Sequence, residues 1–542
     1  MKKKKKIEKI YIKTWLDIKP YTKQTSSDNY YLEVANKVKN ILLSSKYKNE
    51  LIETLDDDFI DLLSVFLTSY LEDIVSELNI WSTFIHLHNK LYNKLLPFYK
   101  PSEYKRNDLN YEDICFLLWY YMSLTEDDPL LEPDHEIVIN LAEEIFNLFL
   151  KTKDKLPKNK FLKQFYYIDG NEENFYKIRD IIQNILFSTY LFFPDTGIDY
   201  IYKLENFMIK LPEKINMPED IIKMKNIFKN DFTWKARTKL LSLKGNEWLA
   251  EMLGDNHPLY DAIKKISPKV TSHFLFESED ENYVYLKHIA TDKILNVTKK
   301  SMLDVPFDIL KKDILLIDLI KFKEDWWFSG GIYFIDYDED LIVEEKQSLS
   351  SKTAFSFLSP KREVKEVLNW HCDYFKEFNK GSLVAFMPLN EVNSFLKNFL
   401  EYINESIAKK YGLSDKPTIL MQNNLFDEFE DGSMPVVVFF NPESGIEIYY
   451  DIISAFPAEN NPYFDEEDFD WDFEDLLTSD DYPATLAKYC IENFRDKIDF
   501  FNDETEYIIE NLDFLLRFWK VHSYYSNVNS YVFVDTMHNE QI

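Results

Sequence analysis

The chain has 542 residues and 64.9 kDa, with a formal net charge of −31, 45% hydrophobic and 29% charged residues. With 43 Phe, 35 Tyr and 10 Trp to fill cores, this is a soluble globular composition and excludes disordered, collagen-like and membrane-embedded classes. Ten Gly, with Gly330-Gly331 the only adjacent pair, exclude Walker loops, GxGxxG fingerprints and GxSxG elbows, which need clustered glycine where backbone meets phosphate or turns sharply.

The N-terminus carries five lysines, Lys2 to Lys6, but Glu8, Lys9, Lys13 and Asp17 interrupt any apolar stretch that a signal peptide would need. No later apolar run approaches the roughly 18 residues that cross a bilayer. The expected setting is therefore the cytoplasm, without membrane contact. Cys115, Cys372 and Cys490 form no CxxC pair, which argues against a disulfide framework or a zinc knuckle. Only 6 of the 63 basic residues are Arg, and the net charge repels phosphate backbones, so direct nucleic-acid binding is disfavoured.

Taken in order, residues 1–266 read as a helical domain. Apolar residues recur at intervals of three and four across Phe59–Leu71, Ile80–Leu96, Ile137–Leu150 and Phe175–Leu191. Pro97, Pro101, Pro129, Pro133, Pro157 and Pro194 separate these runs.

Residues 267–350 change character. His273–Phe276, Tyr283–Leu286, Lys293–Thr298, Asp313–Phe322 and Asp325–Phe334 are short aromatic and β-branched runs broken by acidic turns, the pattern of a small β-barrel-like module or meander. Residues 351–412 return to helical period through Val364, Val367, Leu368, His371 and Cys372, then Val392, Phe395, Leu396 and Phe399. Residues 413–542 read as an acidic α+β domain. Thr418–Met421 and Val436–Phe440 are its expected strands, and Asn441-Pro442 is expected to cap a helix with its stripe at Tyr449, Ile452, Ile453 and Phe456. Two helices near 482–500 and 505–522 close the chain. The fold class expected is α+β and mainly α-helical. The 128 residues from Asp415 onward hold 29 Asp and Glu against 6 Lys and Arg, a balance of −23.

Three stretches carry a resemblance. They are Lys9-Ile10-Tyr11-Ile12-Lys13-Thr14-Trp15-Leu16 with Lys19-Pro20-Tyr21 and Asp28-Asn29-Tyr30-Tyr31-Leu32; Tyr285-Leu286-Lys287-His288-Ile289-Ala290-Thr291 through Trp326-Trp327-Phe328-Ser329-Gly330; and Asn441-Pro442 with Gly445, Asn461-Pro462-Tyr463 and Leu512–Trp519. Together they are similar to the bacterial family catalogued as domain of unknown function 3843. The resemblance implies one multi-part unit over most of the chain, and no activity, cofactor or catalytic residue.

The densest chemical feature is Asp465-Glu466-Glu467-Asp468-Phe469-Asp470-Trp471-Asp472-Phe473-Glu474-Asp475, with eight acids and three aromatics in eleven positions and Asp480-Asp481 beyond it. Carboxylates at that density stay in water unless paired. Three readings stand: a solvated loop, a segment docking on a basic partner with its rings as anchors, or a hard-cation site. An EF-hand starting at Asp468 fails because Phe473 and Ser479 stand where Gly and Glu belong; one starting at Asp336 fails at Leu341 and Gln347.

Asp336 with Glu344 and Lys346 forms an Asp…Glu-x-Lys pattern. On a strand it would place two carboxylates and a lysine around Mg²⁺, as in metal-dependent nucleases. His86 and His88 diverge by about 200° on a helix, and neighbours His371-Cys372-Asp373 point apart, so neither set reads as a site. In Trp326-Trp327, strand alternation buries one indole and turns the other outward, toward packing or a ligand platform. The leading expectation is a non-catalytic interaction protein that uses residues 465–475 on a basic protein surface, without a cofactor. The alternatives are a phosphodiester hydrolase using Asp336, Glu344 and Lys346, or a Ca²⁺-binding protein.

Overall fold

The computed structural model describes residues 9–48, 51, 57–125, 130–211, 218–302, 313–358, 361–411, 433–498, 500–501 and 505–525. The lysines at 2–6 and the expected strand Thr418–Met421 lie outside these. The fold is mixed α+β and mainly helical, in two units, Met1–Leu358 and Ser359–Ile542.

In the first unit, leaving one-turn helices aside, come α1 (Ile12–Asp17), α2 (Asp28–Ser44), α3 (Asp57–Ser76), α4 (Ile80–Tyr92), α5 (Tyr111–Thr125), α6 (Glu136–Thr152), α7 (Phe175–Ser188), α8 (Ile198–Ile209), α9 (Pro218–Lys235) and α10 (Gly245–Leu253). Every residue from Asp113 to Ser123 is buried, so α5, apolar on nearly all faces, runs through the centre of the array. The periodic runs read from the sequence fall on α3, α4, α6 and α7. Local chemistry starts them: the His135 ring accepts from Ile137 N ahead of α6, and Asn174 Oδ1 accepts from Tyr176 N at 2.9 Å ahead of α7.

The helical array is sewn together by buried carboxylates. Asp28 Oδ1 accepts from Trp15 Nε1 (3.0 Å) and Tyr21 OH (2.8 Å). Asp73 accepts from Trp81 N (2.7 Å) and Tyr190 OH (3.0 Å). Asp113 accepts from Tyr70 OH (2.7 Å) and Tyr104 OH (2.9 Å). Burial pushes Asp73 up to about 6 and Asp113 up to about 7, against the donors that hold them down.

Five strands follow: β1 (Val270–Glu279), β2 (Tyr283–His288), β3 (Ile294–Thr298), β4 (Ile314–Phe322) and β5 (Asp325–Ile335). β1 pairs antiparallel with both β2 and β4, β2 with β3, and β4 with β5, and a parallel bridge from Val297 to Trp326 closes the ring. Alternation points Phe274, Val284, Leu286, Val297, Ile317 and Trp326 inward, and Phe355 plugs the interior. Gly330 has φ +147°, and a Cβ there would stand 2.1 Å from Asp318 Oδ2. Asp318 in turn accepts from Gly331 N (2.8 Å) and Thr271 Oγ1 (2.5 Å) and pairs with Lys269 (3.1 Å). The glycine pair is a close-approach point in a sheet.

After β5, residues 339–347 form α11 (Glu339–Gln347), capped by Asp338, whose carboxylate accepts from Asp340 N and Leu341 N. The expected strand carrying Glu344 and Lys346 is therefore a helix. An acidic cap and an acidic first turn stabilise its N-terminus.

The second unit holds α12 (Lys361–Phe378), β6 (Val384–Pro388), α13 (Leu389–Tyr411), β7 (Pro435–Asn441), β8 (Gly445–Tyr449), α14 (Phe469–Thr478), α15 (Ala484–Phe494) and α16 (Leu512–Trp519). β6, β7 and β8 form one antiparallel sheet. Asn441-Pro442 does not start a helix. Asn441 pairs with Gly445 at the end of a hairpin, and its side-chain amide donates to buried Glu447 (3.2 Å), which also accepts from Ser444 Oγ (2.5 Å) and Tyr449 OH (2.7 Å). Satisfying that buried carboxylate fixes the turn.

Candidate functional site

The acidic-aromatic segment divides into an exposed loop and a helix. Asp465 to Asp468 are exposed, and α14 begins at Phe469. Asp465 N donates to Ser454 Oγ (3.2 Å), and Ser454 N donates to Asp472 Oδ2 (2.8 Å), so both ends are tied to one turn. Phe469 and Phe473 stack at 5.5 Å and enter the core, where Phe473 meets Phe500 at 5.2 Å and Phe501 at 5.7 Å. Trp471 takes the opposite face and is 80% exposed. Helical period explains the split: positions 469 and 473 share a face that 471 cannot. Of the three rings expected as partner anchors, two hold the helix down and one stands in water.

Asp465, Glu466, Glu467, Asp468 and Asp470 are exposed and meet no Lys or Arg in an ion pair among the described residues. Asp470 and Asp472 lie in the first turn of α14, where the helix dipole favours them. Burial lifts the Asp472 carboxyl above its ordinary value, opposed by the Ser454 N–H and reinforced by Asp468, Asp475 and Asp451. The extension at 480 has a different job. Asp480 Oδ1 accepts from His522 N (3.0 Å), Ser523 N (2.9 Å) and Ser523 Oγ (2.9 Å), fastening the segment after α16. Beside it Lys520 is buried and donates to the Ser479 carbonyl (2.5 Å); burial drops its pKa to about 7.

The two tryptophans come out as packing. Trp326 and Trp327 are each 3% exposed. Trp326 points into the ring of strands against Phe355 (5.6 Å), and Trp327 is covered by Phe175 and Tyr176 of α7, both at 5.7 Å. Alternation holds, and a helix covers the outer indole, so neither presents an open ring face. On α11, Glu344 and Lys346 project about 200° apart; Lys346 faces Asp292 at 4.0 Å, and Asp336 is exposed before the helix. The strand geometry of the Asp…Glu-x-Lys reading is not formed. Among the described residues no group of three or more His, Cys, Asp or Glu is placed to hold a metal ion. The three cysteines are buried, and burial pushes the Cys115 thiol up to about 12. His88 is buried and its pKa drops to about 4, whereas His86 is exposed.

One pair escaped the sequence reading because its members are sixteen residues apart. Ser272 Oγ lies 2.8 Å from His288 Nε2, and His288 Nδ1 lies 2.8 Å from Thr291 Oγ1. Both Ser272 and His288 are buried, with Phe274 and Phe355 over the imidazole (5.3 and 4.8 Å), and burial lowers the histidine's pKa. A pair sealed under rings has no route to a substrate, and its hydrogen bonds satisfy polar groups in a core.

Trp15, Tyr21, Asp28, His288, Thr291, Trp326 and Trp327 all belong to the stretches that carried the family resemblance, and each has a packing or hydrogen-bonding task. A family model described as "Protein of unknown function (DUF3843)" matches residues 9–300, just over half of the chain. The chain belongs to that family. The DUF3843 match covers the helical array and the first three strands; Trp326-Trp327 and the residues from 441 onward lie beyond it. No curated protein and no solved structure matches the chain.

Proposed function

We propose that the protein is a non-catalytic interaction protein of the cytoplasm, with the exposed loop and α14 docking on the basic surface of a partner protein. The observation that carries this reading is Trp471, 80% exposed among the carboxylates of residues 465–475. An indole that desolvates in a partner's pocket supplies binding energy, and the acids around it supply steering and orientation. Phe469 and Phe473 fix the helix before any partner arrives, which lowers the ordering cost of association. The net charge of −31 works against nucleic acid as the partner. No helix among the described residues is long and apolar enough to cross a membrane.

Capture of partners by the intact chain, compared with a chain carrying Ser/Gly in place of residues 465–475, tests this at about 50 and about 500 mM salt. The reading requires a protein retained at low salt, released at high salt and missing with the replaced segment. Capture indifferent to the replacement contradicts it.

A further inference from the structure

A concave feature of the helical array has a different chemistry. A cavity of about 240 Å³ lies between Ile74 of α3, one face of α4 and the segment Tyr104–Asp108. Ser82, Ile85, His86 and Asn89 of α4 line it, and the spacing 82, 85, 86, 89 is one stripe of a helix. Trp81, Ile85 and Leu95 give it an apolar side.

The opposite wall carries Arg106, one of only six arginines in the chain. Arg106 meets no carboxylate among the described residues, and the His86 and Asn89 side chains have no protein hydrogen-bond partner there. The acid that lines the cavity is already engaged: Asp108 Oδ1 pairs with Lys153 at 2.6 Å and accepts from Leu109 N at 2.8 Å. The segment presenting Arg106 is fixed from below. Lys105 N donates to Asn110 Oδ1 (2.8 Å), Asn110 Nδ2 donates to the Lys105 and Asp108 carbonyls (both 3.1 Å), and Tyr104 OH donates to buried Asp113 (2.9 Å).

A guanidinium matches the planar, two-oxygen edge of a carboxylate or phosphate. Here it lines a concave site together with an imidazole and an amide, on a backbone segment that is held in place, with apolar side chains in the same wall. We propose that this cavity binds a small organic oxyanion, a carboxylate or a phosphate ester with a short apolar body. Arg106 is its charge partner, His86 and Asn89 its hydrogen-bonding partners, and Trp81 and Leu95 the surface for its apolar part. The volume lies below the roughly 300–1,000 Å³ of sites for drug-sized ligands, so the ligand is small.

Calorimetric titration of the full chain with benzoate, phenyl phosphate and the neutral isostere benzamide tests the proposal. Saturable binding of benzoate or phenyl phosphate, at least tenfold weaker binding of benzamide, and at least tenfold weakening in Arg106→Gln are expected. The tighter of the two anions identifies which oxyanion the site takes. Arg106 is exposed, so its replacement leaves the fold intact, and Asn89→Leu, on the opposite wall, gives a second variant expected to weaken the same binding. Absence of saturable binding by either anion, benzamide binding as tightly as benzoate, or binding unchanged in both variants overturns the proposal.

Discussion

Lys19 Nζ lies 2.5 Å from Glu72 Oε2, and the two side chains are 3% and 0% exposed. The ammonium also donates to Ser69 Oγ (3.0 Å) and sits 4.1 Å over the Trp15 ring, while Glu72 Oε1 accepts from Asn159 Nδ2 (2.9 Å). A buried pair of this kind holds because every remaining polar atom has a partner. Removing the cation alone leaves a carboxylate without its charge partner in the core. Lys19→Met is therefore expected to lower the unfolding free energy by about 3–5 kcal/mol in urea titrations. Lys19→Met combined with Glu72→Leu is expected to recover part of that loss.

Asp113 gives the helical array a pH dependence. Its folded pKa is raised from the ordinary 3.8 to about 7, chiefly by burial. Between those values the folded state holds a proton that the unfolded state has released, so stability falls as pH rises from about 4 to about 7 and levels off above. Asp113→Asn removes this titration. Melting curves across that window are expected to show the variant's stability relative to the parent rising with pH; a constant difference would exclude the linkage.

Gly330 is required where it stands. A methyl group would meet Asp318 Oδ2 at 2.1 Å on a backbone with φ +147°. Gly330→Ala is expected to cost about 1–3 kcal/mol or more. Adding Asp318→Ser relieves the clash and is expected to return part of the stability, measured by thermal unfolding.

The two faces of α14 separate folding from recognition. Phe473→Ala opens a void among Phe469, Phe500 and Phe501 and is expected to cost about 3–5 kcal/mol. Trp471→Ala removes a ring that is 80% exposed and is expected to change stability by no more than about 0.5 kcal/mol. Chemical denaturation of the two variants side by side checks the contrast.

The sequence was most legible where side-chain period and turn chemistry agree. The five strands from β1 to β5 follow runs such as Tyr283–Leu286, and acidic turns such as Asp280-Glu281 end some of them. The helices α3, α4, α6 and α7 follow their apolar stripes between prolines. What failed were decisions made by distant partners. Asn441-Pro442 fits a helix start and a hairpin turn equally well until Glu447 arrives to take the Asn441 amide. Val384–Pro388 is too short a run to separate from the flanking helices, and only pairing with β7 makes it a strand. Glu344 and Lys346 alternate like a strand, although Asp338 followed by Glu339 and Asp340 was a readable helix-start signal. At the candidate interface the density of carboxylates was visible at once. The assignment of Phe469 and Phe473 to the core needed the helical register of α14 and the rings at 500 and 501. The cavity beside Arg106 was hidden for a related reason, since nothing local sets Ser82, His86 and Asn89 opposite the Tyr104–Asp108 segment.

Cross-linking from position 467, beside the anchor Trp471, tests the central claim most directly. With a photoreactive side chain replacing exposed Glu467 in the intact chain, so that Trp471 is kept, a partner protein should be trapped at low salt, lost at high salt, and lost when Asp468 and Asp470 become Asn. Trapping that persists through both changes, or a partner that binds the chain yet is never trapped from this position, would contradict docking through the acidic helix.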